Sequence, residues 1–164
     1  MNIIILGAGS VGASVAENLA LESNDVTMID TDSEKLHALQ DRLDIRTIIG
    51  HASHPSVLEQ AGAADADMLL AVTDSDEVNM VACQMAATLF NTPNKIARVR
   101  ASAYLDRKEL LQQEQALVDM FISPEQVVTD YIQKLLERPG SLQVLDFAGG
   151  KVQLVTVRAY YGGP

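Results

Sequence analysis

The first thirty residues constrain the fold more than any other part of this chain. Residues 3–6 are an apolar run that is too short for a helix and rich in isoleucine, so they predict a strand. A glycine-rich turn, GAGSVG at residues 7–12, follows, and Val11, Val15 and Leu19 then recur at helical spacing. A second predicted strand ends at Asp30. The pattern predicts a strand-helix-strand unit with a glycine turn.

The three glycines of the turn each have a physical role in such a unit. One permits the tight turn, one lets the backbone approach a pyrophosphate, and one lets the helix pack closely on the strand. Unpaired N–H groups at the start of the helix favour an anion there. Asp30 stands eighteen positions after Gly12, close to the distance at which an acid binds a ribose. We therefore expect a nucleotide site; the alternative is that the glycines only form turns.

Length and charge narrow the class of protein. The chain has 164 residues, 48% of them apolar, and a net charge of -10 with a pI near 4.6. This length suits one domain with a short addition, and the acidic balance argues against a nucleic-acid partner. We see no targeting segment and no apolar run long enough to span a membrane, so we expect a cytoplasmic protein. A single cysteine, Cys83, excludes an intramolecular disulfide.

The rest of the chain alternates predicted strands and helices. Strands are predicted at residues 46–49, 67–73, 95–100 and 118–122, a weak helix at 103–113, and a β-hairpin at 142–157. Thr31 and Glu34 form a capping box that predicts the start of a helix, and Ser123 is the predicted N-cap of another. The fold class expected is α/β: a doubly wound Rossmann-type parallel sheet of strand order 3-2-1-4-5-6, with a C-terminal helix and β-hairpin.

This pattern divides the chain into three parts. Residues 1–122 are the predicted Rossmann nucleotide-binding domain, residues 123–140 a dimerisation or linker helix, and residues 141–164 a hairpin at the start of a truncated C-terminal lobe. The predicted helix 76–90 is apolar on two sides. Its predicted core face is Val78, Val81, Ala82, Met85, Ala86, Leu89 and Phe90, and the opposite side carries Met80, Cys83 and Ala87. That second side is covered either within the domain or by another subunit.

Ligands of doubly wound sheets bind at the carboxyl ends of the strands, where the strand order reverses. The strand ends here carry the candidate cofactor-binding residues: Gly7, Ala8, Gly9, Ser10, Val11, Gly12, Asp30, Thr31, Asp32, His51, Thr73, Asp74 and Arg98. An acid at Asp30 favours NAD(H) or an adenosine nucleotide over NADP, because a 2′-phosphate would meet a carboxylate. Arg98 lies in a buried-looking strand and needs a counter-ion, which a ligand phosphate or Asp74 would supply.

Other chemistries are less favoured by the sequence. His51 and His54, with Asp65 and Asp67 nearby, lack the spacing of known zinc motifs, so no metal site is predicted. Cys83 lies mid-helix and is predicted to be a packing residue. No histidine follows His54, and only a hairpin follows residue 140, so we expect no catalytic residues and a regulatory protein rather than an enzyme. The alternatives are the nucleotide-binding half of a truncated NAD-dependent dehydrogenase and a pure assembly module.

The motifs together resemble a known family. The GAGSVG turn, IDTD at residues 29–32, the Gly50-His51 pair, AVTDSDEVNM at 71–80 and IARVR at 96–100 are similar to the N-terminal RCK domain, also called KTN, of bacterial Trk potassium-uptake regulatory subunits. The resemblance covers essentially the whole chain, including its YYGGP end, where such proteins pass into a small C-terminal lobe.

The resemblance implies a domain that binds NAD(H) or ATP/ADP and forms dimers that assemble into a ring. It implies a cytoplasmic protein, peripheral on the inner face of the membrane, that controls a Trk-type potassium channel or transporter subunit by changing shape. By position, residues 7–11 would hold the pyrophosphate, Asp30 the adenosine ribose, and Arg98 a phosphate. Thr73 and Asp74 would contact the far side of the nucleotide, and His51 the base or ribose.

Overall fold

A parallel sheet of six strands is the centre of the larger of two compact units, Met1–Ile122 and Ser123–Pro164. The structure is a computed structural model that describes residues 1–106, 118–148 and 150–159. The strands of this sheet are β1 (Asn2–Leu6), β2 (Asp25–Asp30), β3 (Arg46–Ile49), β4 (Met68–Ala71), β5 (Asn94–Arg98) and β6 (Met120–Ile122). Their order is β3-β2-β1-β4-β5-β6 with every pair parallel, which confirms the predicted fold class.

Helices connect the parallel strands. They are α1 (Ser10–Leu21), α2 (Ser33–Gln40), α3 (Pro55–Gln60), α4 (Asp76–Phe90) and α5 (Ser102–Leu105), with a 3-10 turn at Ala63–Asp65. Of the weak helix predicted at 103–113, residues 103–105 are confirmed as part of α5, and residues 107–117 lie outside the described ranges.

Alternation along β1 divides the core between the two faces of the sheet. Ile3 and Ile5 pack on one face, where Met28 and Leu36 also lie. Ile4 and Leu6 pack on the other face, together with residues from β4 and α4. All of the β1 residues from 3 to 6 are buried, as expected for a parallel strand with helices on both faces.

The capping residue of α2 differs from the prediction. Asp32, rather than Thr31, is the N-cap, and its Oδ1 accepts hydrogen bonds from the N–H groups of Glu34 and Lys35 at 3.0 and 3.2 Å. A carboxylate at this position satisfies two of the otherwise unpaired N–H groups of the first turn. Because Asp32 caps the helix, α2 begins at Ser33 and the predicted T-x-x-E box does not form.

The buried face of α4 differs in part from the prediction: Ala82 and Ala86 are buried as predicted, and Val78, Met85 and Phe90 pack partly against the core. Val81 and Leu89, assigned to the core face, are 40% and 55% exposed, whereas Cys83, assigned to the opposite side, is fully buried. The buried residues of this helix are Asp76, Asn79, Ala82, Cys83 and Ala86. Small side chains on the buried face let the helix approach the sheet closely, and Met80 packs partly against the same core. Neither Met80 nor Cys83 therefore marks a separate outer face.

The smaller unit contains a helix and a hairpin. These are α6 (Pro124–Glu137), β7 (Ser141–Phe147) and β8 (Val152–Val157), and β7 pairs antiparallel with β8. Ser123 caps α6 as predicted, by accepting a hydrogen bond from the N–H of Gln126 at 3.4 Å. Lys134 on α6 lies 2.6 Å from Asp146 of β7, and this pair ties the helix to the hairpin. The predicted C-terminal helix and hairpin are confirmed.

Within the part of the chain that the structure describes, no helix has both the length and the apolar character needed to cross a bilayer.

Candidate functional site

A cavity of about 620 Å³ opens at the carboxyl ends of the central strands. The predicted site residues converge on it: all thirteen except Ala8 and Gly12 line its wall. Residues that were not predicted to bind the cofactor also line it, namely Ile29, Lys35, Gly50, Ala52, Val72, Ser75 and Val78. The cavity therefore lies at the place where the strand order reverses between β1 and β4, as expected for a ligand site of this fold.

The two outer glycines of the turn are required by close packing. Gly7 has φ +103, and a Cβ there would lie 3.0 Å from the backbone of Thr73. A Cβ on Gly12 would lie 1.9 Å from the carbonyl oxygen of Gly7, a distance that real atoms do not reach. Gly12 thus lets α1 pack against the turn, and its role is structural, which explains why it does not line the cavity.

Gly9 has a different environment. A Cβ there would meet no atom within 4 Å, although the residue lines the cavity. Gly9 is also the N-cap of α1, where no side chain accepts a hydrogen bond and the first turn holds no acidic residue. The helix N-terminus therefore presents N–H donors and its positive dipole end to the cavity, and this arrangement suits a phosphate.

Asp30 fastens the end of β2 to the glycine turn. Its Oδ2 accepts a hydrogen bond from the N–H of Ala8 at 2.5 Å, and its Oδ1 accepts one from the N–H of Asp32 at 2.9 Å. Each carboxylate oxygen has a second lone pair that remains for a ribose hydroxyl. Ala8 thus contributes to the site through its backbone N–H, by orienting Asp30.

Lys35 supplies a cation beside Asp32 that the sequence analysis missed. Its Nζ lies 3.3 Å from Oδ2 of Asp32, and both side chains are part of the cavity wall. The hydrogen bond from the N–H of Lys35, followed by that from its side chain, lowers the pKa of Asp32 below its ordinary value. The spacing of three residues within the first turn of a helix was the signal that could have placed Lys35 at the site.

A buried amide joins the ends of β4 and β5 on the other side of the cavity. Oδ1 of Asn79 accepts hydrogen bonds from the N–H and hydroxyl of Thr73 at 2.9 and 2.7 Å. Its Nδ2 donates to the carbonyl oxygens of Arg98 and Thr73 at 2.9 and 3.3 Å. Because Asn79 takes the N–H of Thr73, β4 ends at Ala71 instead of the predicted residue 73.

A second set of contacts fixes the loop after β5. Oδ2 of Asp76 accepts hydrogen bonds from the N–H groups of Arg100 and Ala101 at 2.9 and 2.8 Å. The Arg100 guanidinium lies 3.6 Å from the other carboxylate oxygen of Asp76 and also donates to the carbonyl of Asp74. The side chain of Asp76 thus replaces the strand partner, and β5 ends at Arg98 rather than at residue 100.

His51 and His54 do not form a metal site with the acids near them. Their rings stack with centroids 5.1 Å apart and planes at 26°. In the described ranges, no three or more His, Cys, Asp or Glu side chains are grouped so that they could hold a metal ion. His51 lines the cavity at the end of β3, next to the β2 end and Asp30.

Cys83 is a packing residue of the core, as its sequence context predicts. It is fully buried, and this burial raises the pKa of its thiol to about 12. The reactive thiolate is therefore scarce at neutral pH.

The cavity combines features that fit a nucleotide. The uncapped start of α1 and the side chains of Lys35 and Arg98 supply positive charge for phosphates, and Asp30 supplies acceptors for a ribose. The open space at Gly9 would receive a pyrophosphate close to the backbone.

Known proteins of similar sequence match over the whole chain. The chain is 65% identical over 164 residues to the Trk system potassium uptake protein TrkA of Halomonas elongata, covering 100% of this chain and 36% of that protein. It is 58% identical over 165 residues to the protein of the same name from Vibrio alginolyticus, again covering 100% of this chain and 36% of the relative. The chain thus spans about a third of the length of the curated relatives that it matches.

Solved structures share the fold at low sequence identity. The TrkA-N domain of the inner membrane protein YbaL from Escherichia coli has a TM-score of 0.71 at 18% identity, over 82% of this chain and 96% of that chain. The GsuK channel bound to NAD has a TM-score of 0.61 at 20% identity, over 75% of this chain and 21% of that chain. GsuK bound to ADP has a TM-score of 0.61 at 19% identity, over 74% of this chain and 31% of that chain.

The sequence profile of one family matches the larger unit nearly from end to end. Residues 3–124 match the TrkA-N domain, and this range includes every predicted cofactor-binding residue. With the sheet order, the glycine turn and the strand-end cavity in place, the chain belongs to the TrkA-N domain family.

Proposed function

We propose that this chain is the nucleotide-binding regulatory domain of a potassium-uptake system. It binds NAD(H) or ATP/ADP in the strand-end cavity and controls a membrane potassium channel or transporter through a nucleotide-dependent change of shape. The observation that carries the proposal is the convergence of the glycine turn, Asp30, Thr73 and Arg98 on one cavity. The names of the relatives and the NAD and ADP in the GsuK structures support it.

In this proposal, different cavity residues bind different parts of the nucleotide. Residues 7–11 and the start of α1 hold the pyrophosphate, because Gly7, Gly9, Ser10 and Val11 line the cavity and the N-terminus of α1 has no side-chain cap. Asp30 accepts from the adenosine ribose, with Thr31 and Asp32 beside it, and His51 lies near the base or ribose. Thr73, Asp74 and Arg98 meet the part of the nucleotide beyond the pyrophosphate.

The role proposed is binding rather than catalysis. The Asp30 carboxylate accepts backbone N–H bonds, and the Asp32 carboxylate caps α2, so both are held as acceptors of hydrogen bonds. The partner proposed is a Trk-type membrane subunit, which places the protein in the cytoplasm at the inner face of the membrane. A dehydrogenase half would instead consume NADH when offered a small carbonyl substrate.

Calorimetric titration of the folded 164-residue chain with NADH, NAD, ATP and ADP tests the proposal. We expect binding of at least one of them with about one site per chain, and Arg98→Ala is expected to weaken it about tenfold by removing a phosphate-facing cation. Arg46→Ala is the matched control. Arg46 lies at the amino end of β3, away from the cavity, and its guanidinium donates a hydrogen bond to the carbonyl of Gln60. Folded protein that binds none of the four nucleotides would contradict the proposal.

Control of a membrane partner has its own test. We expect the chain to bind the detergent-solubilised membrane subunit of a Trk-type transporter, and we expect ATP and NADH to change that affinity in different degrees. Asp30→Ala should abolish the nucleotide dependence while leaving binding of the partner in place. Equal partner affinity with and without each nucleotide would contradict regulation by nucleotide.

The same proposal includes a homodimer whose interface is formed by the smaller unit. This unit consists of the predicted dimerisation helix at residues 123–140 and the hairpin region at 141–164, which is predicted to begin a C-terminal lobe. Apolar side chains of α6 are largely exposed, including Val127, Val128, Ile132 and Leu136 at 64%, 57%, 50% and 74%. Such a face favours burial against a second copy.

Ile132→Glu is expected to convert a dimer to a monomer, measured by light scattering after size exclusion. Gln133→Lys on the same helix is the control. Gln133 is already polar and exposed, and a lysine there can pair with Glu137, to which Gln133 donates a hydrogen bond. A dimer that persists in Ile132→Glu would contradict this interface.

A further inference from the structure

Asn79 is a fully buried polar side chain directly behind the cavity wall. It is 0% exposed, and its amide lies between the ends of β4 and β5. Its oxygen accepts twice from Thr73, and its nitrogen donates to the carbonyls of Arg98 and Thr73. A side-chain amide has two donor hydrogens and two acceptor lone pairs, so these four contacts use its whole hydrogen-bonding capacity. No other side chain of similar size reproduces this set.

The contacts of Asn79 begin where the pairing of the strands stops. The last register pair of β4 with β5 is Ala71 with Ala97. Beyond that pair, the amide of Asn79 takes the place of a ladder between Thr73 and Arg98. Both of these residues line the cavity, so one side chain of α4 directly connects two of its walls.

The opposite end of the cavity is held by different bonds. Asp30 is oriented by the N–H groups of Ala8 and Asp32, and neither bond involves α4. A change at Asn79 therefore acts on the Thr73 and Arg98 side, while the Asp30 side keeps its own supports.

We infer that Asn79 is a positioning residue of the nucleotide site. It sets the spacing between Thr73 and Arg98, and this spacing determines the selectivity among adenine nucleotides that differ beyond the first phosphate. The inference rests on the proposed function and deepens it. Asn79 touches no part of the nucleotide in this account; it acts through the two residues that it joins.

Asn79→Asp tests the inference, because it keeps the size and the acceptor oxygen but replaces the NH₂ donor. The ionised carboxylate would place an oxygen against the Arg98 carbonyl. We expect the affinity for ATP and for NADH to fall by at least about tenfold and that for AMP to change by less than about twofold. Burial raises the pKa of an introduced carboxyl, so lowering the pH restores a proton donor and recovers the lost affinity.

Thr92→Val is the matched control. Thr92 is also a buried polar residue, 2% exposed, and its hydroxyl donates to the carbonyl of Ala63 at 2.9 Å. It precedes β5, at the edge of the sheet away from the cavity. This variant loses a buried hydrogen bond as well, so its affinities for AMP, ATP and NADH are expected to stay unchanged. Each variant is titrated at a pH where its thermal unfolding transition is intact.

The outcomes separate this inference from the proposed function. Binding by the unchanged chain, with a selective loss for ATP and NADH in Asn79→Asp, supports both. Parallel losses for AMP, ATP and NADH, or no loss at all, would overturn the positioning role and leave nucleotide binding standing. An unchanged chain that binds no nucleotide would overturn the proposed function and this inference with it.

Discussion

The Oδ2 atom of Asp30 lies 2.5 Å from the backbone nitrogen of Ala8, so the acid at the end of β2 is bonded to the glycine turn after β1. The two elements that would hold a ribose and a pyrophosphate are thus connected before any ligand enters. A preformed arrangement lowers the entropy that binding must overcome. One carboxylate therefore orders the turn and, in the proposed nucleotide site, would also supply the acceptors that a ribose needs.

Asp30→Ala is expected to weaken nucleotide binding by at least about tenfold and to lower the free energy of unfolding by about 1–3 kcal/mol, because two N–H groups lose their acceptor. Calorimetry and urea denaturation measure the two effects. Asp25→Ala, at the exposed amino end of the same strand, is the control and should change neither by much. Equal behaviour of the two variants would contradict the double role of Asp30.

Alanine substitutions at two glycines of the turn are expected to have different effects, one on stability and the other on nucleotide binding. Gly12→Ala places a Cβ 1.9 Å from the Gly7 oxygen and should lower the free energy of unfolding by about 1–3 kcal/mol. Gly9→Ala meets nothing within 4 Å. It should leave stability nearly unchanged while weakening nucleotide binding about tenfold, because its methyl group would occupy the space that we propose for the pyrophosphate. Unaltered affinity in Gly9→Ala would argue against a phosphate at this turn.

The cap of α2 predicts a pH dependence. Hydrogen bonds from Lys35 lower the pKa of Asp32, so the ionised carboxylate stabilises the fold above the ordinary pKa of 3.8, and this contribution disappears as the pH falls through the lowered value. Asp32→Ala should therefore be less stable than the unchanged chain at neutral pH, and the difference should disappear as the pH falls below 3.8 and through the lowered pKa of Asp32. Asp32→Asn keeps a cap without a titratable group, so its stability relative to Asp32→Ala should not follow this titration. Thermal unfolding across pH measures all three proteins.

Burial of Cys83 predicts an unreactive thiol and a loss of stability at alkaline pH. In the folded chain the pKa of this thiol is raised to about 12, from an ordinary value of 9.0. Between these values the unfolded chain releases the proton and the folded chain keeps it, so this group lowers stability as the pH rises above about 9. Alkylation should be slow in the native protein at pH 8 and fast after unfolding. Rapid alkylation of native protein would show that α4 leaves the thiol accessible.

Much of the site was encoded locally. The strand, the glycine turn and the start of α1 occupy consecutive residues, and the acid that ends β2 follows at a fixed distance, so their spacing alone predicted the location of Gly7, Gly9 and Asp30. Parallel strands direct their carboxyl ends to one edge of a sheet, which extended the prediction to Thr73 and Arg98. The cavity at that edge is lined by all five residues.

What the sequence by itself determined was therefore the order of the sheet, the glycine turn and the strand ends that form the cavity. Only the tertiary structure decided which side of α4 faces the sheet, because that helix is apolar on two sides and periodicity cannot choose between them. Close packing kept the small residues Ala82 and Ala86 of the predicted core face buried, buried Cys83 beside them and turned Val81 and Leu89 outward. The same choice buried Asn79 between the ends of two strands, where its amide replaces a ladder that the backbone does not continue.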